Sequence, residues 1–531
     1  MPTNINPKGV SMASYSQRNL IEDFLKAEYE GVLRDEFNKM EALINRLPKD
    51  TITGKKKYKT FRLGITDNVR MMGNSYDNYQ LGMDDFYNGG TERVEAEFDT
   101  TKMLATFSIT DEAILKGTSD GSIVDVLKES LDSMELALKT TFQRFTYGTE
   151  NGWIGKVIRD EEAGSSVGAS GISVFSLGKH AKTGARPKYD APDNNFYDES
   201  SVAEKDLAQA SGARHSVPNV IKLKMTNSAA VLPGMGLIVA AETAAGAKTL
   251  LFAGKIWQVD NSKMDKDGDS NLIIFVEKVA QTDGTAAPTA LATSVTASAV
   301  ANVIKYANTF VGTSGNVIKT YARQFNEQIS LNVKQEYVGL QDIVIDVDKE
   351  IYGVDRSVYT SLKSTVVDLK DSDYMGEEYL RDMSDHLATT MPDNTSITLV
   401  AAKHRIISAV EKSMYQFKDY SLDTTANGYQ LGRPDIKFDN FVLVKDKFAR
   451  DHNVYFLDQN KIGELVRRDL QWITSGEVNG VLQRRDGTEL YEGIMNKYAN
   501  TYIDAWRCHA AFTNVKVPGL GTAVGTKYAT L

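Results

Sequence analysis

The sequence has one cysteine, Cys508, which excludes an internal disulfide framework and any CxxC metal site. Histidine is almost as scarce: six are scattered through 531 residues and form no local ligand cluster. No apolar run approaches the roughly 20 residues that cross a bilayer, so no membrane contact is expected. The opening "MPTNINPKGVSMASYSQ" lacks a basic segment followed by an apolar one, which argues against a secretory signal and for a cytoplasm-like setting. G-x-x-x-x-G-K-[S/T], G-x-S-x-G and H-E-x-x-H are all missing. Catalysis therefore has no positive support, and no cofactor or metal is expected. A basic surplus is lacking too: the formal net charge is −9. The only dense basic cluster, "KKKYK" at Lys55 to Lys59, reads as a solvated loop. Any contact with nucleic acid should be weak and non-specific.

What is present is ordinary for a globular protein, with 42% apolar and 25% charged residues and enough length for two to four domains. Residues 15–47 place Leu20, Phe24, Ala27, Val32 and Phe37 near helical spacing and stop at Pro48, which predicts an amphipathic helix. Residues 57–109 read as a long β-hairpin. Phe61, Leu63 and Ile65 alternate outward, Val94, Ala96 and Phe98 return, and Met103, Ala105, Phe107 and Ile109 continue. Between the arms, "MMGNSYDNYQLGMDDFYNGG" carries Tyr76, Tyr79, Met83, Phe86 and Tyr87. A long loop with so many large apolar side chains marks a contact surface, and these five are the candidate subunit-interface residues. The plainer alternative is a loop folded back on its own core.

The clearest helix runs from 122 to 147. Ile123, Leu127, Leu131, Met134, Leu138, Phe142 and Phe145 form an unbroken apolar stripe between Ser122 and Gly148. At 1.5 Å per residue it makes a rod of roughly 37 Å. Just before it, "FSITDEAILKG" places Asp111 and Glu112 at a helix start, where carboxylates suit the positive end, so the pair is punctuation. Linker-like composition follows from 159 to about 216, then short strands over 217–282 that suggest an inserted β-rich module. Residues 282–300 read as a low-complexity connector. Mixed α/β patterning resumes near 317, with helices expected at 375–390 and 401–417 and strands at 396–401, 440–445 and 453–457.

Three local patterns imitate chemistry. Cys508 and His509 are neighbours in "WRCHAAF", and in a strand their side chains would point to opposite faces, which leaves a buried structural cysteine. Asp265, Asp267 and Asp269 alternate as in a calcium loop, but Ser270 and Val276 occupy the positions that need glycine and an acid, so a hairpin turn fits better. Ser176, Lys179, Lys182, Thr183 and Gly184 bring S-x-x-K and K-T-G together inside a linker, where they carry no catalytic meaning.

Four stretches, in order, resemble the major capsid proteins of tailed bacteriophages, with the Hong Kong-ninety-seven fold. They are "FSITDEAILKG…DVLKESLDSMELALKTTFQRFTYGTENGWIGKV" with its closing Y-G-x-x-N-G, "EIYGVDRSVYTSLKSTVVD", "VYFLDQNKIGELVRRDLQW" and "GVLQRRDGTELYEGIMNKYANTYIDAWRCHAAF". The resemblance covers roughly residues 55–158 and 318–515. It implies an α+β fold with an N-terminal arm or helix (1–54) and an extended β-hairpin loop (55–108). A peripheral domain (109–158 and 460–516) with spine helix 122–147 and an axial domain (318–459) follow from it. The block at 159–317, with its β-rich core at 217–282, exceeds the family core and is expected as an insertion; 517–531 form a tail.

The function implied is a non-enzymatic shell protein that assembles into hexamers and pentamers around a double-stranded DNA genome, in a virion put together in the host cytoplasm. Implied partners are other copies of itself, portal and scaffolding proteins, a decoration protein, and the packaged DNA by weak contact. Some members weld subunits through a lysine in the extended loop; between Leu63 and Thr101 this chain has none, so a non-covalent shell is expected. An encapsulin-like compartment shell is the nearest alternative, and a cytoplasmic hydrolase with a β-rich binding module a more distant one. In the last stretch Tyr491, Ile494, Tyr498 and Tyr502 fit a helix, whereas Ile494, Tyr498, Tyr502 and Trp506 fit one face of a strand. Periodicity leaves both open; the family implies strands.

Overall fold

In the computed structural model the described residues are 43–63, 93–110, 122–158, 170–174, 220–260, 270–292, 295–323, 336–370, 373–390, 398–413, 436–438, 441–473, 482–484, 487 and 489–517. The short helix α1 (Leu43–Arg46) falls within the predicted 15–47 helix, the earlier part of which lies outside the described residues, and β1 (Lys49–Thr51) follows Pro48. Next, β2 (Lys56–Arg62) and β3 (Arg93–Asp99) pair antiparallel, from Lys56↔Asp99 to Arg62↔Arg93. β4 (Thr101–Thr110) does not extend that hairpin as the alternation suggested. It pairs along its whole length with β22 (Leu490–Ile503). The buried phase slips between Phe98 and Met103, and that slip at Thr100 is where the chain leaves one sheet for another.

Helix α2 (Ser122–Tyr147) spans the predicted rod and lies against β4. Met134, Leu138, Phe142, Phe145 and Tyr147 are buried, while Leu136 on the opposite face is exposed. Beyond it the chain forms β5 (Trp153–Ile158), β6 (Ile172–Val174), β7 (Val220–Met225), β8 (Gly236–Glu242), β9 (Lys248–Asp260), β10 (Ser270–Ala280) and β11 (Leu291–Ala292). Helix α3 (Ala297–Val311) occupies the end of the supposed connector; Thr296 caps it by accepting from the amide of Ala299 at 3.2 Å. β12 (Val317–Arg323) completes this region.

These strands form one sheet in the order β11-β10-β9-β8-β12-β5-β7-β6, and β10 also pairs with β7. The extra pairing closes a ring of β10, β9, β8, β12, β5 and β7. The β-rich module is therefore a barrel sealed by β5 and β12, the strands that flank the supposed insertion on either side. A closed ring leaves few exposed edges. Along β8, Leu237, Val239 and Ala241 join the main core, while Ile238 and Ala240 join a smaller cluster with Trp153 and Tyr321.

The rest of the chain gives a π-helical turn (Gln341–Ile345), β13 (Glu350–Ile351), β14 (Val354–Asp355) and β15 (Thr365–Asp368). Then come α4 (Glu377–Thr390), β16 (Leu399–Ala402), α5 (His404–Ser413), β17 (Ile436–Phe438), β18 (Phe441–Lys445) and β19 (Val454–Leu457). β13 and β14 form a two-stranded sheet of their own, while two larger sheets collect β15 to β19 and the terminal strands β20 (Ile462–Trp472), β21 (Leu482–Arg484) and β23 (Ala510–Thr513). One has the order β1-β20-β22-β21 with β4 on β22; the other runs β15-β23-β19-β16-β18-β17. The ambiguous C-terminal run is thus a strand, and Trp506 lies past its end in a 3-10 turn.

Candidate assembly elements at the hairpin root and the helix exit

Two neighbouring arrangements position what the sequence singles out. The first is the root of the β2–β3 hairpin. Phe61 rests on Trp506 with ring centroids 4.7 Å apart, and Phe98 lies 4.4 Å from Tyr352 and 5.1 Å from Tyr502. Tyr352 sits at the β13–β14 turn in the left-handed region (φ 55), with Gly353 next to it (φ 77). A bulky residue is rare there, and it is held from three sides. Its hydroxyl donates to the carbonyl of Thr501, its own carbonyl accepts from the amide of Glu97 at 2.9 Å, and its ring packs on Phe98.

Charge reinforces this root. Lys59 donates to the carboxylate of Asp504 and to its carbonyl at 3.2 Å; Lys57 pairs with Asp50 and lies 4.2 Å over the Tyr502 ring. Partial burial opposes ionisation of Asp504, but donation from Lys59 and Tyr502 prevails and holds its pKa below the usual carboxylate range. Part of the "KKKYK" run is therefore structural: two of its lysines anchor the hairpin, whereas Tyr58 is exposed.

The second arrangement is the exit of α2, where Y-G-x-x-N-G lies. The Tyr147 hydroxyl donates to Asp446 at 3.0 Å, and Arg450 donates to the carbonyls of Tyr147 (3.0 Å) and Trp153 (2.8 Å). A Cβ on Gly339 would collide with the backbone oxygens of Phe145 and Gly148, so glycine permits the close approach of the 336–340 segment. Arg144 pairs with Glu336 beneath the helix, both fully or nearly buried. The amide of Glu150 donates to Asp342 at 2.6 Å, and Lys349 pairs with the same carboxyl at 2.8 Å. Burial outweighs that ion pair and pushes the Asp342 pKa up to about 6. Arg356 staples the π-helical turn by donating to the carbonyls of Asp342 and Ile343 at 2.6 Å each.

The candidate interface residues Tyr76, Tyr79, Met83, Phe86 and Tyr87 lie outside the described residues, as do Asp111, Glu112, the Asp265–Asp269 turn and the Ser176–Gly184 segment. Cys508 is buried in the core of the β15–β17 sheet, in a 3-10 turn rather than the strand expected. His509 is fully buried beside it, and burial lowers its pKa to about 4, so the ring is neutral. Among the described residues no group of three or more His, Cys, Asp or Glu side chains could hold a metal, and no helix is long and apolar enough to cross a membrane. Sequence reading missed Tyr352, whose signal was the Tyr-Gly pair inside "EIYGVDR".

No family model and no curated protein matches the chain. Among solved structures it is similar to a chain of the cyanophage A-1(L) capsid asymmetric unit, at 7% identity and a TM-score of 0.42, over 90% of this chain and 92% of that one. It is also similar to a chain of the satellite phage P4 procapsid that includes a size determination protein, at 8% identity and a TM-score of 0.30, over 97% and 99%. A chain of an encapsulin complex from Synechococcus elongatus matches over 34% of this chain and 56% of its own length, at 12% identity and a TM-score of 0.22.

Proposed function

We propose that this chain is a shell-forming protein whose work is self-association. Within that class we read it as the major capsid protein of a tailed phage. The observation that carries the reading is the convergence of the four stretches that resemble the family. Tyr147 from the first lies 5.5 Å from Tyr455 of the third, and Tyr352 of the second is bonded to Thr501 of the fourth. Far apart in sequence, they build one hairpin root and one helix exit.

The chain assembles into flat, closed rings, hexamers and pentamers, that tile an icosahedral shell around double-stranded DNA. Ring contacts of this kind are head-to-tail and close only when the rotation is right. The hairpin tip, with Tyr76, Tyr79, Met83, Phe86 and Tyr87, supplies part of that contact. Net acidic charge suits a container that must not grip its cargo. Portal, scaffolding and decoration proteins are the further partners the reading implies, and no catalytic step belongs to it. Electron microscopy of the purified chain tests this. Rings and closed shells are expected, and a chain that stays monomeric at every concentration overturns it.

A further inference from the structure

Beneath α2, Lys497 of β22 is fully buried. Its Nζ lies 2.6 Å from Oε1 of the equally buried Glu464 and 3.8 Å from Oδ1 of Asp469. The ring of Phe142 covers the amine at 4.3 Å. Both acids belong to β20, at an odd separation that in a regular strand sends side chains to opposite faces. β20 is irregular between them. Its register with β22 shifts between Val466 and Arg468, and again between Arg468 and Gln471. Before the first shift Glu464 opposes Thr501, on the face of Lys497; after it Arg468 opposes Tyr498, so Asp469 comes round to that same face. Bulges re-aim side chains in this way next to reactive groups.

A buried ion pair is the ordinary reason for such a lysine, and Glu464 alone satisfies it. Asp469 Oδ1 also accepts from the amide of Leu470 at 2.9 Å, and that local bond fixes the second carboxylate, delivered by the bulge, on the side of the amine. We propose that Lys497 and Asp469 become joined by an amide bond within the chain, with Glu464 carrying the proton. Burial lowers the Lys497 pKa despite the two carboxylates, which favours the neutral, nucleophilic amine. Glu464 takes a proton from the ammonium, which frees the Nζ lone pair, and passes it to an oxygen of Asp469, which turns that carboxylate into an acid open to attack. That pair attacks Cγ of Asp469; a C–N bond forms and a C–O bond breaks. Two ammonium protons leave with one carboxylate oxygen as water. The step consumes no oxidant, reductant or cofactor. It welds β20 to β22 inside one chain and adds no link between subunits, so it stands apart from the question of assembly.

Intact mass spectrometry of the full-length chain, unfolded after purification, tests it. The expected mass is one water below that of the sequence, and digestion should release a branched peptide joining the segments of Asp469 and Lys497. Full sequence mass in folded wild-type protein overturns the bond. Asp469 is partly exposed, so its variants are expected to fold. Asp469→Ala should show its own full mass, and Asp469→Asn should lose one ammonia instead of one water. An Asp469→Ala chain that still loses water overturns the choice of partner. Glu464→Gln should keep its strand signal by circular dichroism and show full mass; if it loses water as fast as the wild type, the proton-carrying role falls.

Discussion

The carbonyl of Tyr352 accepts a hydrogen bond from the amide of Glu97 at 2.9 Å, so a turn from the middle of the chain grips the returning arm of the hairpin. Tyr352→Ala removes the buried ring and the hydroxyl bond to Thr501, and should cost about 3–4 kcal/mol, in the range for large aromatic truncations. Tyr352→Phe loses only the hydroxyl and should cost about 1 kcal/mol. Urea denaturation of the unassembled chain measures both. Equal costs for the two would show that the ring does not hold the root.

Asp342 and His509 set opposing pH dependences. The folded-state pKa of Asp342 is raised to about 6 from 3.8, so its contribution is present at low pH and lost as pH rises through 6. The pKa of His509 is lowered to about 4 from 6.5, so its contribution is present above 6.5 and lost as pH falls toward 4. Between pH 4 and 6 the two slopes offset. Asp342→Asn should unmask the histidine slope, on the order of 2–3 kcal/mol across that window. Denaturation midpoints at pH 4.5 and 6.5 should lie further apart for the variant than for the wild type, with the variant weaker at pH 4.5; an unchanged difference would contradict the assignment.

The buried Arg144–Glu336 pair joins α2 to the segment ahead of the π-helical turn, and a single change would leave one charge buried alone. Glu336→Leu leaves the guanidinium without its acid and should cost about 3–5 kcal/mol. Adding Arg144→Leu should recover most of that loss. A double-mutant cycle by chemical denaturation reads the coupling, and a double variant no better than the single one would contradict it.

Assembled particles boiled in detergent should run as a single monomer band. No lysine lies between Leu63 and Thr101, and Lys59 at the hairpin root is already committed to Asp504. A ladder of multiples would overturn the expectation.

Much of the scaffold was legible where the code is local. The stripe of α2 and the alternation of β2, β3 and β4 follow from side-chain period alone. The change of sheet at Thr100 went unread, although the buried phase slips there between Phe98 and Met103. β22 resisted because its buried face carries Gly493, Met495, Lys497, Ala499, Thr501 and Ile503, while its tyrosines are only half-buried. A lysine and a threonine on the inner face disguise the pattern. α3 was hidden by low-complexity composition, although Val300, Val303 and Ala307 keep helical spacing. Barrel closure was not legible at all, since the pairing of β5 with β12 joins residues on either side of a long excursion and nothing local encodes it. The five tip residues stay an expectation drawn from composition.

That closure also limits what can be done to the barrel. Its seam is made by Trp153–Ile158 and Val317–Arg323, the first stretch of which leaves the rod directly. Cutting out 159–317 would not remove a passenger; it would tear two staves from a cask and leave them bare. A cargo or epitope grafted onto this protein belongs in the long span between β6 and β7, where the hoop stays whole.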